Sequence, residues 1–532
     1  MRGVLRWRRR YTRVMEPLGR RAIVVDPQRD NVALAVTAIE ADRYDLNGAP
    51  FDVREPLSAG DRVALRAVPS GEFLLQYGCP FAVSRGISAG ERVHHGRVEP
   101  AIPLVDPSTV ELPPPSAPEP VPGDERLPAA FEGYRRPDGR VGTRNYVLVV
   151  PTSMCSSHEA RLIAEEAERR QWSRERFPHV DGIRAIPHDK GCGCPDGGTV
   201  TRTMQVLGAY LDHPNVGAAL VLELGCEKTN LAAFAPFLEQ SGASHGKPVL
   251  SLSVQQSGGT GGTIREGLQR VADLLPLANE TRRVPAPVSA LVLGTKCGGS
   301  DAFSGVSANP ALGVASDLLI ARGGTSLLTE VPELFGAEPI LFRHARSPRV
   351  WDEIRAALEW YARYTARFGV SPSENPSPGN KEGGLTNIAI KSLGAVAKAG
   401  AAPIDGVVGY AERPRAPGLY IMQGPGYDQY STPGLVAAGA TIVGFTTGRG
   451  TTIGNAIAPV FKVASNTPVF ERMQDDLDLN AGTILDGRET VAEVGRRIFA
   501  EMVAIASGRK PARAEEWRHV EFQIWADDAV AL

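Results

Sequence analysis

From residue 145 onward, short apolar runs alternate with stretches of helical periodicity. This alternation constrains the fold more than any single motif. Residues 145–150, 216–224, 247–253 and 288–294 read as strands, and 158–170 and 310–322 as helices. Another strand is expected at 325–329, and 418–422 and 441–445 repeat the theme. Such alternation builds α/β layers around mostly parallel sheets. Open sheets of this kind bind ligands beyond the carboxyl ends of their strands, so polar residues just after a strand are candidates for chemistry.

The chain before this pattern differs. Residues 26–100 hold short apolar stretches punctuated by Gly60, Gly71, Gly78 and Gly90, as in a small β-rich module. Prolines then crowd residues 103–122 and include Pro113-Pro114-Pro115, which resist helix and sheet and favour an extended spacer. The reading is a basic, disordered tail at 1–25, a β module at 26–100 and a linker at 101–130. An α/β domain follows at 131–285, a second, catalytic α/β domain at 286–510 and a C-terminal extension at 511–532. The proline-containing segment 280–287 serves as the connector between the two α/β domains.

At 532 residues the chain is long enough for two to four domains. A net charge of −2 gives no broad attraction to nucleic acid or membrane, and no apolar run approaches the roughly 20 residues of a membrane span. Eight arginines fall within the first 21 residues without a following apolar segment, which excludes a secretory signal. Six dispersed cysteines with no CxxC point to a reducing cytoplasm and to free thiols or metal ligands. A homodimer is the default assembly.

Polar residues collect after the expected strands. Ser153, Cys155 and His158 follow the first. His188, Lys190, Cys192 and Cys194 form a second group, and Cys226, Glu227 and Lys228 a third. The densest group is Lys296-Cys297-Gly298-Gly299-Ser300-Asp301, running on to Asn309, and Thr446–Thr451 completes the set. Five such clusters are expected to converge on one cleft. The glycine-rich loop 257–263 has no Gly-Lys-Ser/Thr and no dinucleotide fingerprint, so it suits a substrate carboxylate better than a nucleotide. A buried thiol is more often a small hydrophobe than a ligand; Cys79, beside Pro80 and Phe81, reads that way.

Several long segments resemble the altronate and galactarate dehydratases, a family of sugar-acid hydro-lyases. They are Gly133–Tyr146, Leu224–Glu227, Lys296–Pro310, Asn375–Gly384, Phe445–Thr451 and Asp478–Gly482. The β module is similar to the family's SAF-type β-clip domain through Gln76-Tyr77-Gly78 and Ile87–Glu91. The resemblance implies loss of water from a hexonate or hexarate to give a 2-keto-3-deoxy acid, with divalent iron or manganese as cofactor. Two departures stand out. The family's Val-His-x-His-Asn run is here Val93-His94-His95-Gly96-Arg97, and Lys296 stands where glutamine is expected.

Removing a proton beside a carboxylate requires a cation to hold the enediolate and a base nearby. The metal candidates are His94, His188, Cys192, Cys226 and Cys297. Glu227, Lys228 and Asp301 are candidates for acid–base work. Arg144, Ser300, Asn309, Lys381, Thr447 and Arg449 are candidates for substrate binding, with the arginines pairing to a carboxylate. Two alternatives are an iron–sulfur hydro-lyase using three separated cysteines and a catalytically silent sugar-acid-binding protein.

Overall fold

The computed structural model describes residues 15–99, 102–103, 105–112, 124–240 and 246–528. The chain divides into two compact units, Met1–Pro103 and Leu104–Leu532.

The first unit is all β. An antiparallel sheet pairs Ala22–Ile23, Val32–Ala35, Arg62–Ala64 and Arg92–Val93 in that order. Two hairpins, Arg43–Leu46 with Ala49–Asp52 and Phe73–Gln76 with Cys79–Val83, turn on Asn47-Gly48 and Tyr77-Gly78. All four turn residues have positive φ, as the twist-matched two-residue hairpin turn demands. Most of the arginine-rich tail lies outside the described residues. Its last part does not: Ala22 and Ile23 pair with Ala35 and Leu34, and Leu18 is buried in the β core. Residues 18–25 thus form part of the β unit and not of a tail.

The second unit contains two parallel sheets. In the first, β1 (Tyr146–Pro151), β2 (Gly182–Ala185), β3 (Val216–Glu223) and β4 (Val249–Ser253) lie in the order β2-β1-β3-β4. Helices α1 (Met154–Arg170), α2 (Gly198–Asp212), α3 (Leu231–Gln240) and α4 (Thr260–Asn279) connect or follow these strands. Strand β1 is buried along its whole length, as a strand covered on both faces must be.

The second sheet has seven parallel strands. They are β5 (Val292–Cys297), β6 (Thr325–Leu328), β7 (Ile404–Val408), β8 (Gly418–Met422), β9 (Ile442–Thr447), β10 (Val460–Ala464) and β11 (Leu479–Asn480). Their order is β7-β8-β6-β5-β9-β10-β11. Helix α5 (Ala308–Ile320) packs on α8 (Val491–Ala506) over this sheet, with α6 (Ile388–Ala395) and α7 (Asp428–Ala437) between them in sequence.

The expected connector at 280–287 is a strand: Arg283–Pro287 pairs antiparallel with Ala130–Arg135. It is the edge of a three-stranded sheet, a position that tolerates Pro285 and Pro287. The last residues are also built in. Glu515 is half-buried in an ion pair, and Phe522, Ile524 and Trp525 are core side chains.

Candidate active site

The five strand-end clusters divide between the carboxyl ends of two different sheets. Residues 153–158, 188–194 and 225–228 follow β1, β2 and β3, whereas 296–301 and 446–451 surround the ends of β5 and β9. Each sheet has its own carboxyl end, so the sheet rule yields two rims where one cleft was expected.

The rim of the seven-stranded sheet carries a dense buried charge cluster. Strand β5 delivers Lys296 and Cys297, both buried. Just past β6, Glu330 has φ +71° and ψ +53°, a left-handed conformation that is uncommon for a residue with a Cβ and recurs where strain serves function. The short turn that follows supplies Glu333. Helix α6 contributes Lys391, and the 3-10 turn after it Lys398; the seven-residue spacing puts both lysines on one side.

The polar contacts close on one another. Lys398 Nζ lies 2.7 Å from Cys297 Sγ and 2.8 Å from Glu330 Oε2. Lys296 Nζ bonds Glu330 Oε1 and lies 2.7 Å from Asp428 Oδ1. Lys391 Nζ donates to Glu333 Oε1 at 2.8 Å and to Asn375 Oδ1 at 2.9 Å. Cys297 Sγ stands 3.6 Å from Glu333 Oε2. A glycine is required at 298, because a Cβ there would lie 2.7 Å from both Asp428 Oδ2 and the Phe445 ring.

Burial and charge act against each other here. Burial pushes the Cys297 thiol up to about 12, with Glu330 adding to the rise and Lys398 opposing it. Burial also pushes the Glu333 carboxyl up, but Lys391, Lys296 and Lys398 together pull it well below the usual carboxylate range. Desolvation works against the charge on Lys296 and Lys398, while Asp428, Glu330 and Glu333 around them favour the ammonium form and raise both groups overall.

This cluster forms the floor of a cavity of about 710 Å³, whose lining includes Cys297, Glu333, Asn375, Asn380, Lys391 and Asp428. That volume is in the range of small-molecule sites.

Cys297, Glu330 and Glu333 are the one group of three potential metal donors lying within 4.8 Å of one another among the described residues. They do not fit a divalent ion as arranged. Three ammonium groups already occupy their lone pairs and balance the charges of Glu330, Glu333 and Asp428. A further double charge would sit among cations at low dielectric.

The other sequence candidates have varied fates. Arg144 is buried and forms a two-bond pair with Glu515 at 2.6 and 2.7 Å while also donating to Thr143 O and Ile505 O. Its guanidinium therefore braces the fold and is not open to a substrate carboxylate. His188 is likewise corrected as an open metal ligand. Its Nε2 meets Pro151 O at 3.0 Å, its Nδ1 accepts Lys190 N–H at 3.2 Å, and burial pushes it down to about 4.

Asp301 is a loop hub: its carboxylate accepts from Ser304, Ser465 and Asn466. Glu227 accepts from Thr152 Oγ1 and from the Leu224 and Gly225 N–H groups, fixing its own loop. Lys228 reaches Cys194 O and Asp196. Asn309 bonds Thr446 and Gly394 O, and Thr447 Oγ1 accepts Gly450 N–H. Ser300 is buried, with its Oγ unpartnered among the described residues. Lys381 is exposed, and Arg449 pairs with Glu382 at 3.2 Å. Cys192 and Cys226 are exposed. His94 belongs to the β unit, where its Nδ1 accepts Gly96 N–H at 3.1 Å.

Glu330, Glu333, Lys391, Lys398 and Asp428 were not among the sequence candidates. Glu330 stands one residue past the expected strand 325–329, and the strand-end rule applied there would have singled it out. Lys391 and Lys398 are two cations in an otherwise apolar stretch, which is itself a signal of buried charge.

Comparison with known proteins bears on all three parts of the chain. Residues 20–101 match the altronate/galactarate dehydratase SAF domain. Residues 133–279 match the D-galactarate dehydratase/altronate hydrolase second domain, and 288–530 the D-galactarate/altronate dehydratase C-terminal family. The chain is 35% identical to altronate dehydratase of Bacillus subtilis (strain 168), over 91% of this chain and 94% of that protein. It is 33% identical to altronate dehydratase of Escherichia coli (strain K12), over 90% and 94% of the two chains. It is also 34% identical to galactarate dehydratase (L-threo-forming) of the same strain, over 92% and 93%. No helix among the described residues is long and apolar enough to cross a membrane. With all three parts matched in order and over nearly its full length, the chain belongs to the altronate/galactarate dehydratase family and is a carbon–oxygen lyase of the hydro-lyase type.

Proposed function

We propose that the protein removes water from a sugar acid of the altronate or galactarate type and releases a 2-keto-3-deoxy acid. The observation that carries this reading is the buried Cys297–Glu333–Lys391 group on the floor of a cavity that Asn375, Asn380 and Asp428 also line. Elimination needs a proton acceptor at C2, positive charge beside the carboxylate as the enediolate forms, and a proton donor for the departing C3 hydroxyl.

Each need has a group in place. Lys391 lines the cavity and offers an ammonium to the substrate carboxylate, where negative charge grows in the transition state. Glu333, ionised in the free site, accepts the C2 proton. The Cys297 thiol, protonated at neutral pH, gives its proton to the C3 oxygen, which leaves as water. Proton return from Glu333 to Cys297 across their 3.6 Å contact resets the pair. Lys398 holds the transient thiolate at 2.7 Å, and Lys296 and Glu330 keep both partners oriented. The resulting enol ketonises to the 2-keto acid.

The test is a 2-keto acid assay with D-altronate and galactarate on anaerobically purified protein, with and without added Fe²⁺ or Mn²⁺. Formation of a 2-keto acid from either substrate, lost on Lys391→Ala, supports the reading. No 2-keto acid from either substrate under any of these conditions overturns it.

A further inference from the structure

The six cysteines split evenly. Cys79, Cys194 and Cys297 are buried; Cys155, Cys192 and Cys226 are exposed. Cysteine is among the residues most often buried, so three exposed thiols call for an explanation. They also follow three neighbouring strands of one sheet: Cys155 comes after β1, Cys192 after β2 and Cys226 after β3, with β1 in the middle.

The three loops are tied pairwise beside these cysteines. Met154 N–H donates to Lys190 O at 2.6 Å, joining the Cys155 and Cys192 loops. Thr152 Oγ1 donates to Glu227, and Thr229 Oγ1 to Thr152 O at 2.6 Å, joining the Cys155 and Cys226 loops. Lys228 Nζ donates to Cys194 O at 2.9 Å, joining the other two. No hydrogen bond among the described residues engages any of the three thiols. Beside Cys192 the loop is open, since a Cβ on Gly193 would meet nothing within 4 Å.

We infer that Cys155, Cys192 and Cys226 together hold an iron–sulfur cluster, leaving one iron without a protein ligand. A single ion would require the three sulfur atoms to stand close together. Thiolates on one tetrahedral zinc, with Zn–S near 2.3 Å, stand about 3.8 Å apart. These three sulfur atoms are not all within 4.8 Å of one another, since among the described residues only the Cys297 group meets that criterion. A polynuclear cluster, whose ligands bind different irons, does not require that close approach. Ligation releases one proton from each thiol and forms three iron–sulfur bonds, with no change in the oxidation state of the cysteines. The iron without a protein ligand faces solvent and suits an oxygen ligand, such as a hydroxyl or carboxylate.

The inference stands apart from the Cys297 chemistry and is read by a different measurement. Full-length protein is purified anaerobically and reconstituted with ferrous iron and sulfide. Iron and acid-labile sulfide are then quantified, and the visible and electron paramagnetic resonance spectra are recorded. The expected result is about four iron and four sulfide per chain. Cys155→Ser, Cys192→Ser and Cys226→Ser should each lose most of both, while Cys79→Ser and Cys297→Ser keep them; circular dichroism checks that every variant is folded. Iron without sulfide, sub-stoichiometric sulfide after reconstitution, or full retention of the cluster by folded Cys155→Ser, Cys192→Ser and Cys226→Ser variants would overturn it. A full cluster in a protein that forms no 2-keto acid would leave this inference standing and remove the proposed function.

Discussion

The two sheet rims of the second unit treat their polar residues in opposite ways. On the seven-stranded sheet, Lys296, Glu330 and Lys398 are fully buried, and each charge has a partner of opposite sign. On the four-stranded sheet, the thiols of Cys155, Cys192 and Cys226 are exposed, and the surrounding charges pair with one another. The first rim is preorganised: its dipoles and charges are set before a substrate arrives, at the expense of desolvating ions. The second is open, and its three cysteines are exposed. Topology places both; the local balance of burial and charge makes them chemically different.

The largest effect should come from breaking the buried cluster. Glu330→Gln leaves Lys296 and Lys398 without their shared carboxylate, and loss of one partner from a buried pair costs about 3–5 kcal/mol. Urea denaturation should show this loss, and the 2-keto acid assay a fall in rate of at least about 100-fold. Stability within about 0.5 kcal/mol of the parent would mean that the rim is less preorganised than its contacts indicate. Arg144→Met, which unpairs Glu515 behind the sheet, should lower stability by a similar amount. For the enzyme that stays folded it should leave KM unchanged, because Arg144 does not face the cavity.

Lys296→Gln sharpens the comparison by moving the first rim toward the second. It removes one of three ammonium groups and leaves Glu330, Glu333 and Asp428 in excess. Affinity of the Cys297 group for Mn²⁺, followed calorimetrically, should rise about tenfold or more, equivalent to about 1.4 kcal/mol. Unchanged affinity would show that charge balance is not what disfavours a metal there.

Thiol chemistry should separate the rims directly. In metal-stripped native protein at pH 8, iodoacetamide should alkylate Cys155, Cys192 and Cys226. Cys297 should be spared, because it is buried and its thiol is pushed up to about 12. Peptide mass spectrometry reads the outcome, and modification of Cys297 at the same rate would place it on an open surface.

The last expected effect is a pH dependence with two opposite signs. Glu333 is held below the usual carboxylate range, so its contribution to stability is present at neutral pH and disappears only as the pH falls through its lowered value. Asp317 on α5 is raised by burial to about 6, against the hydrogen bonds from Ala401 and Ala402 N–H. Its contribution is fully present in acid and is lost as the pH rises through about 6. Asp317→Asn should therefore flatten the thermal midpoint between pH 4 and 7, an effect on the order of 1–3 kcal/mol. A parallel downward shift at every pH would assign Asp317 a purely hydrogen-bonding role.

Much of the fold was legible in the chain itself. Apolar runs of strand length separated by helical periodicity lead directly to the two parallel sheets, and the glycine-punctuated start of the chain to its β unit. Cys297 was legible too, because it ends a strand among glycines. Arg144 and Asp301 show why the site was harder to read: an arginine or aspartate in a motif looks the same whether it meets a ligand or holds two loops together. Only the partners, Glu515 in one case and Ser304, Ser465 and Asn466 in the other, tell them apart.

By itself the sequence determined which elements form, because hydrophobic periodicity is local. It also determined family membership, because long motifs recur in order. The tertiary structure alone decided which polar residues meet. Glu330, Lys391 and Lys398 lie 33 to 101 residues from Cys297 along the chain, yet all bear on one thiol or its partners. Charge pairing and desolvation depend on separation in space, and no local pattern encodes that.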